Sequence, residues 1–231
     1  MTEDSRSRML LRPRPAPQRQ EVTIEAKRIR LTKEKETYLA TLCGKAMDAA
    51  VENPILGDRF AADAVAHIDY DFTRLKLLNG GEITLPMRAW HLDQWTRAFL
   101  AANPESTVLH VGCGLDTRVY RIEPGPKVHW FDVDFPDVIA PREQLYPERD
   151  GYRRIGSSVT DLTWRDAIPG DMPALVVAEG LLMYLHEKDG TALFRADHPA
   201  IPEPSSGLAR GRWAPSYPIS DSGLRSRVKL T

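Results

Sequence analysis

The spacing of apolar residues divides the chain into a helical first part and an alternating second part. Between residues 31 and 53, Leu39, Leu42, Cys43 and Ala46 recur at helical spacing and share one face. Thr32 is placed to cap this helix, Glu34 and Glu36 suit its first turn, and Asn53-Pro54 ends it. A second, short helix fits residues 58–66, a turn fits Asn79-Gly80-Gly81, and a longer helix fits residues 88–102. Leu92, Trp95 and Phe99 read as the core-facing stripe of that last helix.

From residue 107 the period changes. Thr107 to Val111 form an unbroken β-branched and apolar run, the pattern of a parallel strand buried on both faces. It breaks at Gly112-Cys113-Gly114, and no proline follows until Pro124, so a helix can start there. Residues 127–133, 152–156 and 174–178 read as further strands with helical segments between them. Pro136 is placed to open one of these helices, whereas Pro141 is expected to kink or break it. Strands separated by helices predict an α/β fold, a Rossmann-like doubly wound parallel sheet. After residue 196 no periodicity is sustained, and Pro199, Pro202, Pro204, Pro215 and Pro218 punctuate the segment.

The organisation expected is therefore a disordered Arg/Pro-rich arm at 1–29, a helical cover at 30–106, a sheet core at 107–194 and a second disordered tail at 195–231. At 42% hydrophobic and 27% charged residues, the 231-residue chain can bury a core of its own. A net charge of −1 gives no reason to expect nucleic acid or an anionic membrane as partner. No run is long enough to span a bilayer, Met9-Leu10-Leu11 is too short for a signal peptide, and the two cysteines are far apart. Free thiols in a reducing cytoplasm follow as the simpler reading. The six histidines show no metal-ligand spacing, so no metal is expected.

Candidate chemistry clusters at strand ends. Glycines at 112 and 114 allow a tight turn and close backbone approach to a ligand, although an ordinary strand-to-helix turn explains them too. Thr117 stands where a dinucleotide-binding turn would place a third glycine, and no Gly-x-Ser-x-Gly elbow occurs. Asp132 and Asp134 lie about 20 residues beyond the first glycine, where an acceptor-only carboxylate can take both ribose hydroxyls. Capping of the helix at Pro136 is the other reading of these acids. Asp161 could accept from an adenine amino group or simply hold a turn. Glu179 closes an apolar strand, where a carboxylate needs a partner and where open α/β sheets bind ligands.

Three motifs taken together carry a resemblance. They are Gly112-Cys113-Gly114-Leu115-Asp116-Thr117-Arg118, then Val133-Asp134-Phe135-Pro136, then Glu179 ahead of Leu182-Met183-Tyr184-Leu185. In this order they resemble the class I S-adenosylmethionine-dependent methyltransferases, in the branch of leucine carboxyl methyltransferases and polyketide O-methyltransferases of the tetracenomycin type. Residues 31–42 and Asp69-Tyr70-Asp71-Phe72 look like the polyketide side of that branch. The resemblance implies that Gly112 and Gly114 pass close to the methionine part of S-adenosylmethionine and that Asp134 binds the ribose. It places Asp161 and Leu162 on the adenine, Glu179 on the amino group, and Arg88 on the carboxylate, with Lys45 a candidate for the same end. The implied activity is methyl transfer to a carboxylate or hydroxyl of a small, polyketide-like molecule, with His91 a guess at a base and no catalytic residue assigned. The resemblance stops after Phe194, where three strands of the family's seven-stranded sheet should follow. The chain is read as truncated or frameshifted there. An alternative function is a catalytically impaired remnant that binds the cofactor or pairs with a partner through its open edge.

Overall fold

The computed structural model describes residues 36–75 and 83–194; Thr32, Glu34, the turn at 79–81 and the segments 1–29 and 195–231 lie outside them. Helix α1 (Glu36–Ala49) buries Leu39, Leu42, Cys43 and Ala46, the face its spacing predicts. Helix α2 (Arg59–His67) is capped by Asp58, whose Oδ1 accepts the N–H of Ala61 at 3.0 Å. Helix α3 (Thr84–Ala102) starts one turn before the predicted residue 88 and does not bury the predicted stripe. Pro86, Ala89, Asp93 and Thr96 face inward, Trp95 is 47% exposed, and Leu92 and Phe99 are only half-buried. Asp93 is drawn in by two arginines, and ionic partners rather than apolar bulk fix the rotation of this helix.

Four strands follow: β1 (Ser106–Val111), β2 (Val128–Asp134), β3 (Tyr152–Gly156) and β4 (Ala174–Val177). They form one sheet in the order β3-β2-β1-β4, with every pairing parallel. The chain runs outward from β1 to β3, then crosses to the other side of β1 for β4. Strand order therefore reverses at β1, which opens a crevice at the carboxyl ends of β1 and β4. Val108 and Trp130 pack with α1 and α2 on one face, while Leu109, Val111, Phe131 and Val133 pack on the other. Since side chains alternate along a strand, His110, Asp132 and Asp134 share the helix-covered face with Val108 and Trp130. The register sets His110 beside Asp132. Among the described residues β4 has a strand partner on one side only.

Two expectations about the intervening helices need correction. The helix after the glycine turn, α4 (Arg118–Ile122), begins at Arg118 and not directly behind Gly114. Residues 115–117 remain a loop whose side chains are engaged elsewhere: Asp116 Oδ1 accepts the N–H of Arg118 at 3.0 Å, and Thr117 Oγ1 donates to Asp58 at 2.5 Å. Helix α5 (Pro136–Leu145) does open at Pro136, but it runs unbroken through Pro141. Proline removes one donor there, while the next residues tie the helix to the sheet. Arg142, fully buried, donates to the carbonyls of Gly114 (2.9 Å) and Asp116 (2.7 Å) and ion-pairs with Asp132. Tyr146 donates to the carbonyl of Leu115 at 2.8 Å. Helix α6 (Glu187–Leu193) completes the described chain, in which Cys43 and Cys113 are free and buried and no helix is long and apolar enough to cross a membrane.

Asp132 shows how the buried charges bear on stability. Burial alone would raise its pKa, yet Arg142, His110 and Tyr152 bring it down to about 2. A depressed carboxylate stabilises the fold above its unfolded pKa of about 3.9 and loses that contribution as pH falls toward the folded value. Asp132→Asn leaves Arg142 buried without its anion and should cost about 3 kcal/mol in urea unfolding at neutral pH. The deficit relative to wild type should shrink below about pH 4. An unchanged midpoint would mean that the carbonyls alone satisfy Arg142.

Candidate functional site

A cavity of about 650 Å³ lies at the carboxyl ends of β1, β2 and β4, with side chains of α1 and α3 forming its cover. Six sequence-predicted residues line it together: Lys45, Arg88, Gly112, Gly114, Asp134 and Glu179. The turn after β1 requires its glycines. Gly112 and Gly114 have φ of 63° and 51°, and a Cβ would stand 2.9 Å from Leu181 and from the Tyr38 ring, respectively. A bare backbone is thus presented to the cavity. Between them the Cys113 thiol is buried, and that burial pushes its pKa well up, which disfavours the thiolate.

At one end of the cavity stands Asp134, only 3% exposed. Its Oδ2 accepts the N–H of Gly114 and its Oδ1 that of Phe135, both at 2.8 Å. Burial raises its pKa above the ordinary aspartate value, although these two N–H groups oppose the shift. Each oxygen keeps a lone pair beyond the one already used, so the carboxylate can still accept a pair of hydroxyls. Asp132, the other sequence candidate, is fully buried and committed to Arg142, Tyr152 and Trp130.

The opposite end is a charged cluster. Glu179, just past β4, receives Arg88 Nε on Oε1 at 2.9 Å and Arg118 Nη2 on Oε2 at 2.5 Å. Lys45 Nζ lies 3.0 Å from Asp116 Oδ2 and 4.0 Å from Glu179 Oε1. Burial would push Glu179 up, but Lys45, Arg118 and Arg88 pull it down to about 2 against the opposing charge of Asp116. Asp116 is likewise held well below the usual range: Arg118, Lys45 and Arg121 outweigh its desolvation. A basic and an acidic side chain therefore face the same space.

The remaining candidates lie elsewhere. Asp161 is exposed, caps the turn Leu162–Ala167 and accepts from Thr163 N (3.2 Å) and Oγ1 (2.8 Å). Leu162 packs on the second core cluster. Neither lines the cavity, whereas the preceding Ser158, Val159 and Thr160 do. His91 is on the outer face of α3 against Trp90, their rings 4.9 Å apart, and does not reach the cavity. Sequence reasoning quoted Asp116 and Arg118 as part of a motif but gave them no role. The available signal was two charges in a segment expected to be buried behind a core strand.

Comparison with known proteins identifies the family. The family model described as Leucine carboxyl methyltransferase matches residues 37–197. The tetracenomycin polyketide synthesis O-methyltransferase TcmP of Streptomyces glaucescens is 50% identical over 167 residues, which is 72% of this chain and 62% of that protein. The S-adenosyl-L-methionine-dependent methyltransferase dpfgK of Gibberella zeae is 36% identical over 188 residues, 75% of this chain and 63% of that protein. Leucine carboxyl methyltransferase 1 of Eremothecium gossypii is 28% identical over 153 residues, 53% of this chain and 46% of its own. The chain thus spans less than two thirds of the length of these curated relatives. It belongs to the leucine carboxyl methyltransferase family, within the class I S-adenosylmethionine-dependent methyltransferases.

Proposed function

We propose that this chain binds S-adenosylmethionine in the cavity and transfers its methyl group to a carboxylate or hydroxyl of a small, polyketide-like molecule. The observation that carries the reading is the pairing of two dissimilar ends in one cavity. Asp134 offers free acceptor capacity at one end, while Glu179 with Arg88 and Lys45 offers both signs of charge at the other. A nucleoside with a zwitterionic amino-acid arm needs that combination. Asp134 takes the ribose hydroxyls, and the bare backbone at Gly112 and Gly114 admits the chain linking ribose to amino acid. Glu179 accepts from the ammonium group, and Arg88 pairs with the carboxylate through its planar fork, with Lys45 beside it. Asp161 and Leu162 remain the proposed adenine contacts by resemblance alone, since the cavity is lined there by their neighbours Ser158, Val159 and Thr160.

The bound sulfonium supplies an activated methyl group with a neutral leaving group. The chain's own residues then have mainly to position and exclude water. The cavity lining also includes the apolar and aromatic side chains of Leu85, Phe135, Leu181, Met183 and Tyr184. Such a lining suits a flat, largely apolar acceptor, in keeping with the polyketide named for the Streptomyces relative. A carboxylate acceptor is already ionised and needs no base, whereas a hydroxyl acceptor would call for one.

Calorimetric titration of the full chain with S-adenosylhomocysteine tests the reading. Asp134→Ala should abolish measurable binding, and Glu179→Gln should weaken it by at least about tenfold, the loss of one charge-assisted contact. A folded wild type that binds no S-adenosylhomocysteine sinks the proposal. Binding without turnover on any aromatic carboxylate or phenol favours the impaired remnant. The titration of Asp134 makes a separate prediction. Its ionised form is the one that accepts two hydroxyls, and its pKa is raised, so affinity should fall on acidification at a higher pH than an ordinary aspartate sets. Glu179, held near 2, does not titrate there. Asp134→Asn should flatten this pH profile; a wild-type profile that is already flat would remove Asp134 from the site.

A further inference from the structure

Glu179 stands at the end of a strand of four residues that pairs with β1, and it is followed by Gly180 at a φ of 67°. Little in the backbone there fixes the direction of its carboxylate. Arg118 does. Its side chain is fully buried and does not line the cavity. Three of its nitrogens are engaged by three carboxylates: Nε by Asp93 Oδ1 at 2.7 Å, Nη1 by Asp116 Oδ2 at 3.2 Å, and Nη2 by Glu179 Oε2 at 2.5 Å. With Asp93 and Asp116 setting the plane of the guanidinium, Nη2 pins Oε2 and turns Oε1 toward the cavity. There Oε1 meets Arg88 Nε at 2.9 Å. The contacts close a ring, because Arg88 and Asp93 both project from α3.

We propose that Arg118 is a positioning residue: it aims Glu179 at the amino-acid arm of the ligand without touching the ligand itself. The inference rests on the reading of Glu179 given above. A lysine at 118 would keep the charge but present a single point of attachment, unable to hold Asp93 and Glu179 in one plane. The role therefore belongs to the fork geometry and not to the charge.

The test compares two ligands on the full chain by calorimetry. S-adenosylhomocysteine carries the amino-acid arm; 5′-methylthioadenosine has the same adenosine and thioether without it. Wild type should prefer the first by at least about tenfold, the scale of a charge-assisted contact. Arg118→Lys should lose most of that preference while its affinity for 5′-methylthioadenosine stays within about twofold. Asp93→Asn, which loosens the anchor and leaves Arg118 in place, should move the preference in the same direction by less. It decides the matter if Arg118→Lys does not fold. Equal weakening of both ligands in the variants would reveal a purely structural arginine and overturn the inference, as would an undiminished preference. A wild type that shows no preference at all instead removes Glu179 from the ligand's arm, which is a failure of the underlying reading.

Discussion

A guanidinium sealed from water must find its counter-charges inside the protein, and the fold around Arg118 is arranged by that demand. Helix α3 supplies Asp93, the loop after the glycine turn supplies Asp116, and the end of β4 supplies Glu179. Arg121, on the same short helix, extends the set to Asp58 at the cap of α2, and Lys45 brings in α1. Lys45, Arg88, Arg118 and Arg121 thus stand against Asp58, Asp93, Asp116 and Glu179, four cations with four carboxylates. The helical cover is held to the sheet by charge as well as by apolar packing. A cluster without net charge also suits a zwitterion, which can join it without leaving either sign in excess. Desolvating so many ions is costly, and their use lies in fixing orientation before a ligand arrives.

The glycine turn is braced from the other side by independent means. Arg142 of α5 and Tyr146 just past its end hold the carbonyls of Gly114, Leu115 and Asp116, and Asp134 holds the N–H of Gly114. The turn is therefore rigid although no helix starts directly behind it. Asp134 secures the backbone that lines the cavity while each of its oxygens keeps a lone pair unused by those two bonds.

Strand β1 was legible in the sequence because a parallel strand buried on both faces leaves an uninterrupted apolar run. All four observed strands begin and end within one residue of the predicted spans, although β3 carries Arg153 and Arg154 and buries no residue fully. The crevice of such a sheet lies at its strand ends, so Gly112, Gly114, Asp134 and Glu179 could be expected to line it together, as they do. Helix rotation was less legible. Apolar spacing chose Leu92, Trp95 and Phe99, but Asp93 decides which side of α3 is buried, and its partners are 25 and 28 residues away. The same long range hid Arg118, whose contact with Glu179 spans 61 residues. Pro141 was misjudged because propensity sees the lost donor and not the anchors at Arg142 and Tyr146.

The two halves of the cavity are built on unequal foundations. Lys45, Asp116 and Glu179 are each more than nine-tenths buried, so a ligand at the charged end meets side chains whose positions are already fixed. The wall proposed for the acceptor depends on Met183 and Tyr184, which are 78% and 68% exposed. These residues also follow β4, which has a strand partner on one side only among the described residues. Side chains that spend most of their surface in water impose little orientation on what touches them, and orientation is what an in-line displacement needs. On the proposed reading, affinity for the cofactor and turnover of an acceptor rest on different parts of this chain, and the first can persist where the second is weak.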